Sequence, residues 1–286
     1  MNYCRVVYLF EFILIFSIGN ATTEDVLFDQ NYGISWGSRL VRVLDQGREV
    51  HLAMTKDSGS GFQSKARYGS GFFQLRMKMP DNDCAGVVVA FYLMSKGRKH
   101  DEIDFELLGN LKGRPMLLQT NLFANDTGKR EQRIRLWFDP TAAFHSYRIL
   151  WNRYNIVFYV DDVPIRVFKN KRRLGVLYPA RPMRVEASIW NGEKWATDGG
   201  RTKTNWSKAP FDAAFQHFAV DGCPLAGTAV ERCYASRYWW NAERYWTLSE
   251  DDHRKLQLVR DKYLTYDYCT DTKRFRKPAP ECPFNQ

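Results

Sequence analysis

Three acidic residues alternate with single apolar residues in the middle of the chain. They are Glu102, Asp104 and Glu106, and they lie in the run from His100 to Asn110. If this run is a β-strand, its side chains point alternately to opposite faces, so the three carboxyl groups share one face. The apolar face would pack into a core. The acidic face must line water or a polar cleft, because burying three unpaired carboxylates is too costly.

This acidic face has the residue types needed for acid and nucleophilic catalysis on one strand. Neighbouring carboxylates repel one another, so at least one pKa should rise, and one group can keep its proton while another stays charged. A charged nucleophile and a protonated acid are the pair that a retaining glycosidase uses.

The geometry of such a pair is demanding. Cα atoms four residues apart in an extended strand are separated by about 13 Å, whereas the carboxyl groups of retaining enzymes are about 5–5.5 Å apart. Long Glu side chains that lean inward on a concave sheet would close much of this gap. The spacing alone is weak evidence, since an exposed strand with salt bridges would carry the same pattern.

The segments around the acidic run predict an all-β fold. Short apolar or alternating runs are separated by Gly, Pro, Asn and Asp, which is typical of a β-sandwich or jelly roll over residues 22–215. The clearest runs are Glu49 to Met54, Phe72 to Met79, Gly86 to Met94, Ile156 to Val160 and Arg184 to Ile189.

Residues 216–286 differ from this pattern and are interpreted as a C-terminal extension. Thr247 to Tyr263 has helical spacing, with Ser249 placed as the N-cap. Four cysteines in the extension allow three disulfide pairings, and the local ones, Cys223–Cys233 and Cys269–Cys282, are favoured because short loops close most readily. Cys84 stands alone and is expected to be a buried or semi-buried free thiol. The cysteine and histidine spacings match no metal motif, so no metal site and no cofactor are expected.

The N-terminus resembles a secretory signal. A mostly apolar run from Val6 to Ile18 follows Arg5 and precedes small residues, which predicts a signal peptide over residues 1–21. The run is shorter than the roughly 20 residues of a transmembrane helix, although an N-terminal anchor is the alternative. We therefore expect a secreted protein without a membrane partner.

The net charge of +10 indicates an attraction to polyanions. Nucleic acid is one candidate for any basic protein, but a secreted chain would instead meet acidic polysaccharide or a membrane surface. The basic residues are scattered except for Lys169, Lys171, Arg172 and Arg173, and a run of this kind is usually a solvated loop.

Several motifs in a consistent order carry a more specific resemblance. Besides His100–Asn110, they are Gly61–Lys65, Gln119–Asn121, Arg130–Gln132, Leu136–Thr141, Val160–Arg166, Trp190–Asn191, Trp195–Thr197, Tyr268–Asp271 and Lys273–Phe275. Together they resemble the xyloglucan endotransglucosylase/hydrolases of glycoside hydrolase family 16 through most of the chain. The match at residues 268–275 resembles the C-terminal extension that marks this branch.

The resemblance implies a concanavalin-like jelly roll of two curved antiparallel sheets with an open cleft. It implies that Glu102 is the nucleophile, Glu106 the acid/base and Asp104 an assisting group between them. The residues expected to contact sugar are Glu106, Gln119, Thr120, Asn121, Lys129, Arg130, Glu131, Trp190, Lys194, Trp195, Gly199 and Arg274. Trp190 and Trp195 could instead be core residues, and Arg130 and Glu131 an ordinary surface pair. His100 is expected to be structural.

The chain departs from the family pattern at several positions. The glycosylation sequon common after the acidic strand is missing at Asn110, while sequons at Asn125 and Asn205 predict glycans there. Lys129 and Lys194 stand where the family often has Asn and Asp, which weakens their assignment to sugar binding.

Three functions fit these residues. The resemblance favours retaining cleavage of xyloglucan with transfer to another xyloglucan chain, because the segment from Trp190 to Asn205 resembles the shorter loop of transferases. A strict β-glucan hydrolase would use the same acids. A non-catalytic wall lectin would need the cleft but not three mutually repelling carboxylates. We expect a monomer in the cell wall that acts on xyloglucan donor and acceptor chains.

Overall fold

The structure is a computed structural model that describes residues 26–285. The expected signal peptide at residues 1–21 lies outside the described residues. Two α-helices are present in the described range, α1 (Phe28–Asn31) and α2 (Glu250–Tyr263). The strands are β1 (Tyr32–Trp36), β2 (Val41–Leu44), β3 (Glu49–Met54), β4 (Ser60–Ser64), β5 (Tyr68–Lys78), β6 (Val87–Met94), β7 (Glu102–Leu108), β8 (Leu117–Phe123), β9 (Gln132–Arg135), β10 (His145–Trp151), β11 (Asn155–Val160), β12 (Val163–Lys169), β13 (Arg184–Asn191), β14 (Phe211–Gln216), β15 (Val220–Pro224) and β16 (Leu264–Asp267).

The strands form two antiparallel sheets. The cleft sheet has the order β1-β4-β13-β6-β7-β8-β9-β16, and the back sheet has the order β12-β11-β10-β5-β14-β3-β2, with β15 paired to β5. Aromatic contacts across the core hold the sheets together: Phe105 of the cleft sheet meets Phe158 of the back sheet at a centroid distance of 5.1 Å. The all-β, jelly-roll-like fold expected from the sequence is confirmed.

The acidic run forms the central strand β7. It pairs with β6 on one side and β8 on the other, so its backbone polar groups are satisfied within the sheet. Ile103, Phe105 and Leu107 are completely buried in the core between the sheets. Burial of this apolar face fixes the strand register and leaves the three acids on the opposite face.

The C-terminal segment continues both sheets. Its strand β15 pairs with β5 of the back sheet, and β16 pairs with β9 at the edge of the cleft sheet. Between them α2 begins as its cap predicts: the Ser249 hydroxyl accepts a hydrogen bond from the Asp252 N–H at 3.1 Å. Helix α2 packs on β12 through its buried residues Leu256 and Val259. The segment that carries the second group of cysteines is thus tied to the sheet that carries the acids.

Both expected disulfides are formed in the structure. Cys223 and Cys233 are joined, as are Cys269 and Cys282, and Cys84 is a buried free cysteine. Burial raises the pKa of the Cys84 thiol to about 11, which makes it a poor nucleophile at neutral pH. Among residues 26–285, no cluster of three or more His, Cys, Asp or Glu side chains could hold a metal ion. In the same range, no helix is both long and apolar enough to cross a membrane.

Candidate active site

The three acids of β7 line one cavity. Its volume is about 310 Å³, and side chains of β1, β6 and β13 complete its walls. The lining residues are Trp36, Ala90, Tyr92, Met94, Glu102, Asp104, Glu106, Ser188 and Trp190. The strand register places Asp104 between Tyr92 of β6 and Asn121 of β8. Glu102 and Glu106 therefore open into one space although their Cα atoms are four residues apart.

Glu106 is the carboxyl group best suited to donate a proton near neutral pH. Burial raises its pKa to about 7, and the charge of Glu102 pushes in the same direction. Gln119 opposes this shift, because its amide donates a hydrogen bond of 2.5 Å to a Glu106 carboxylate oxygen. A general acid works best when its pKa lies near the operating pH.

Asp104 is the most buried of the three acids. Burial, followed by the charges of Glu106 and Glu102, raises the pKa of Asp104 well above its usual range. One of its carboxyl oxygens is buried and has no hydrogen-bond partner. A buried carboxyl group between two others is best accommodated as the neutral acid, which can donate a hydrogen bond to a charged neighbour.

Glu102 is held by a histidine that the sequence analysis left without a role in catalysis. The His100 Nε2 lies 3.2 Å from a Glu102 carboxylate oxygen, and its Nδ1 lies 2.5 Å from Asp126 Oδ1. Burial raises the pKa of Glu102, whereas His100 lowers it and so favours the charged form. His100 thus connects Glu102 to the turn that carries the Asn125 sequon.

A polar chain continues from Glu106 across β8 and β9. Arg133 Nε donates to the side-chain oxygen Oε1 of Gln119 at 2.7 Å, and Nε2 of Gln119 in turn donates to Glu106. The Arg133 guanidinium lies 6.0 Å from the Trp195 ring and 5.7 Å from the Tyr266 ring. Arg133 therefore joins the acid/base candidate to an aromatic wall. The sequence analysis missed it because nothing in the sequence pairs β9 with β8.

The C-terminal extension reaches this end of the site through a bidentate ion pair. Arg274 donates to both carboxylate oxygens of Glu131, at 2.8 and 3.1 Å, and to the Tyr266 hydroxyl at 3.2 Å. The Glu131 charge is also among the causes that raise the pKa of Glu106. Glu131 and Arg274, both expected from the sequence to contact sugar, are therefore brought together beside the acids.

The two tryptophans of the expected cleft lie side by side. The Trp190 and Trp195 rings are 5.9 Å apart and pack partly on Val88 and Leu108. Trp190 also lines the acid cavity, so its exposed part is available to stack on a sugar ring. Both tryptophans therefore pack in part on this apolar cluster, and Trp190 is also part of the lining of the acid cavity.

The structure corrects the placement of Thr120 and Arg130. The Thr120 hydroxyl accepts a hydrogen bond from buried Arg166 at 2.8 Å, on the core side of β8. Arg130 is buried and pairs with Glu281 at 2.5 Å. These side chains point into the interior because β8 alternates faces and Glu281 offers a buried partner, so they support the cleft from within.

The remaining expected residues fall into two groups. Asn121 is buried beside Asp104, and its side-chain oxygen Oδ1 accepts hydrogen bonds from the backbone N–H groups of Leu122 and Arg130. Lys129, Lys194 and Gly199 are exposed on loops. Asn125 and Asn205 are also exposed, as N-glycosylation requires.

Comparison with known proteins identifies the family and supports the fold. Residues 28–208 match the family of glycosyl hydrolases family 16, and residues 234–282 match the xyloglucan endo-transglycosylase (XET) C-terminus. Among solved structures, a prokaryotic β-1,3-1,4-glucanase (lichenase) derived from a mouse hindgut metagenome has a TM-score of 0.56. It is 23% identical in sequence, and the match covers 70% of this chain and 96% of the other. At that identity the likeness concerns the fold alone.

Curated relatives are much closer in sequence. Xyloglucan endotransglucosylase/hydrolase protein 2 of Arabidopsis thaliana is 51% identical, over 99% of both chains. Protein 3 of the same species is 53% identical over 92% of this chain and 91% of the relative. Xyloglucan endotransglucosylase protein 2 of Diospyros kaki is 48% identical over 90% and 88%. The chain therefore belongs to glycosyl hydrolases family 16 and, within it, to the xyloglucan endotransglucosylase/hydrolases.

Proposed function

We propose that the protein cleaves the β-1,4-glucan backbone of xyloglucan with retention and transfers the cut chain to the end of another xyloglucan chain. The observation that carries this proposal is the shared cavity of Glu102 and Glu106, in which Glu106 has a pKa of about 7. A retaining mechanism needs one charged and one protonated carboxyl group facing the same bond. The relatives' names and the matched C-terminal family support xyloglucan as the glucan.

The first step forms a covalent intermediate. A Glu102 carboxylate oxygen attacks the anomeric carbon while Glu106 transfers its proton to the leaving glycosidic oxygen, which departs as a free 4-hydroxyl. Asp104, as the neutral acid, is placed to orient Glu102, and His100 holds the carboxylate from the other side. Once Glu102 is esterified, its negative charge is gone, so one cause of the raised pKa of Glu106 disappears.

The second step uses Glu106 as a base. Its lowered pKa keeps Glu106 in the carboxylate form, which accepts the proton of the acceptor while the acceptor oxygen attacks the anomeric carbon and releases Glu102. The acceptor decides the outcome: water gives hydrolysis and a glucan 4-hydroxyl gives transfer. Transfer requires a bound acceptor with an effective concentration that outcompetes water at about 55 M.

The surroundings of Glu106 support transfer. The wall beyond Glu106 contains Trp195, Arg133 and the Glu131–Arg274 pair, which offer a stacking surface and several donors to a bound sugar chain. The loop after β13 is anchored by Thr197, whose hydroxyl donates to the Gly109 carbonyl and accepts from the Gly86 N–H. A fixed loop beside the acids keeps such a binding surface in place.

The test follows two signals with purified protein, xyloglucan polymer and a fluorescent xyloglucan oligosaccharide. We expect label to enter the polymer without a matching gain in reducing ends. Reducing ends without incorporation would make the protein a hydrolase. The Glu102→Gln variant should lose both signals. If the wild-type protein, shown to be folded, gave neither signal but still bound xyloglucan, the lectin alternative would replace the proposal.

The setting of this activity forms part of the same proposal. The apolar N-terminal run supports secretion, and we assign the protein to the cell wall as a monomer. We interpret residues 22–215 as the catalytic domain and residues 216–286 as an extension that completes its cleft. The net charge of +10 supports acidic wall polysaccharide as a second partner.

A further inference from the structure

A cavity larger than the one that holds the acids lies elsewhere in the described residues. Its volume is about 1150 Å³, and it is built from three separate parts of the chain: the turn between β10 and β11, the segment after β12, and the start of the C-terminal extension. A typical site for one small ligand measures about 300–1,000 Å³. The size and open form of this cavity therefore suit part of a longer chain.

The walls of this cavity, called here the basic cavity, are strongly cationic. Six of its lining side chains are Arg or Lys and one is acidic, Glu231. The cations are Arg153, Lys171, Arg172, Arg173, Arg232 and Arg237. Among the described residues, none of these six makes an ion pair with a carboxylate, although several lie against aromatic rings. The basic run at residues 169–173, which in the sequence resembles a solvated loop, thus contributes to one wall of a cavity.

An aromatic surface lies within the same walls. Tyr154 stacks on Trp246 at a centroid distance of 4.4 Å, and the Arg153 guanidinium lies 5.2 Å from the Tyr154 ring. Tyr234 is a second aromatic residue of the lining. Aromatic faces stack on sugar rings, and guanidinium groups bind carboxylates with two parallel hydrogen bonds. A sugar that carries a carboxylate satisfies both features.

The basic cavity leads toward the cleft sheet. It shares Arg172 with a neighbouring cavity of about 430 Å³, whose lining includes Arg67, Arg181 and Lys96. The Lys96 ammonium lies 3.4 Å from Gln63, on the same face of the cleft sheet as the acids. Asp101, the acid of this second cavity, is already satisfied by the N–H groups of Asn125, Ala180 and Arg181. Cationic side chains therefore line both cavities, and the second cavity reaches the face of the cleft sheet that carries the acids.

We infer that the basic cavity binds a polyuronate, an acidic polysaccharide of repeating sugar carboxylates, and anchors the enzyme to it. This deepens the partner proposed above and rests on the proposed function only for its biological setting, since binding can be tested without the reaction. A sugar chain is favoured over a nucleic acid or a membrane because the cations converge on a concave space whose lining includes Tyr154 and Tyr234. A lipid surface would require a protruding amphipathic face instead.

The test is affinity electrophoresis of the full mature chain in gels that contain polygalacturonate, its fully methyl-esterified form, or no polymer. Three proteins are compared: the wild type, an Arg153→Gln, Arg173→Gln, Arg232→Gln variant, and a control. The control carries Lys56→Gln, Lys262→Gln and Lys277→Gln, which remove the same charge from exposed positions that do not line the cavity. Each protein is also assayed on soluble xyloglucan, so failure of the catalytic proposal would be seen separately.

We expect polygalacturonate to retard the wild type and the lysine control, and the arginine variant to bind about tenfold more weakly. Retardation should fade as salt is raised and should be absent with the neutral ester. Equal losses in both variants would overturn the inference, because they would mean that net charge alone is responsible. Retardation by the ester would also overturn it. So would equally tight binding to duplex DNA or anionic vesicles that is lost in the same arginine variant.

Discussion

The pKa of Glu106 predicts how the rate depends on pH. The proton that Glu106 donates is half dissociated at about pH 7, so kcat/KM should fall on the alkaline side with a midpoint near that value. At one pH unit above the midpoint, Glu106 is still protonated in about one-tenth of the enzyme. Each further pH unit lowers this fraction, and with it kcat/KM, by about another tenfold. An ordinary glutamate, with a pKa near 4.3, would already be fully ionised there.

Gln119 allows the direction of the shift in the Glu106 pKa to be tested. Its amide hydrogen bond stabilises the charged form of Glu106 and lowers the pKa, against the larger effect of burial. A Gln119→Leu variant should therefore raise the pKa of Glu106 and move the alkaline limb to higher pH. A Glu131→Gln variant removes a charge that raises the same pKa, so it should move the limb to lower pH.

The assay is the initial rate of label transfer at low donor concentration from pH 4 to 9, with stability checked at each pH. The pKa of Glu106 would also be read directly by NMR of carboxyl-labelled protein, including the inactive Glu102→Gln variant. That variant should show a lower pKa for Glu106, because the Glu102 charge is lost. A limb that stays unmoved in Gln119→Leu and Glu131→Gln, or a pKa of Glu106 that rises in Glu102→Gln, would refute the assignment.

Three further predictions concern His100, the buried residue Glu281 and the two glycosylation sequons. A His100→Gln variant should move the acid limb of the pH–rate profile to higher pH, because His100 lowers the pKa of Glu102. A lower rate with an unshifted acid limb would instead mean that His100 has a purely structural role. Glu281→Gln should lower the free energy of unfolding by about 3–5 kcal/mol in urea titrations, since buried Arg130 loses its partner. Asp251→Asn, in an exposed helix pair, is its control and should change stability little. Finally, Asn125→Gln and Asn205→Gln should each remove one glycan mass from the secreted protein.

Alternation along one strand made the acidic face predictable from the sequence. Ile103, Phe105 and Leu107 can be buried only if the strand is oriented in one way, and that orientation places Glu102, Asp104 and Glu106 together on the other face. The start of α2 was equally predictable, because Ser249 caps the helix through a contact three residues away. Both features depend on local geometry.

Only the tertiary structure shows which side chains that are distant in the sequence contact one another. Arg133 reaches Gln119 because β9 pairs with β8, and Arg274 reaches Glu131 because β16 extends the same sheet. Thr120 and Arg130 turn inward because Arg166 and Glu281 lie beneath them.

The local sequence thus determined which residues could do chemistry and which face of the strand they occupy, since side-chain direction follows from the period of the strand. The tertiary structure decided how far their pKa values move and which cations gather in a cavity. Burial and charge at a site depend on every segment packed around it, and those segments lie far apart in the chain.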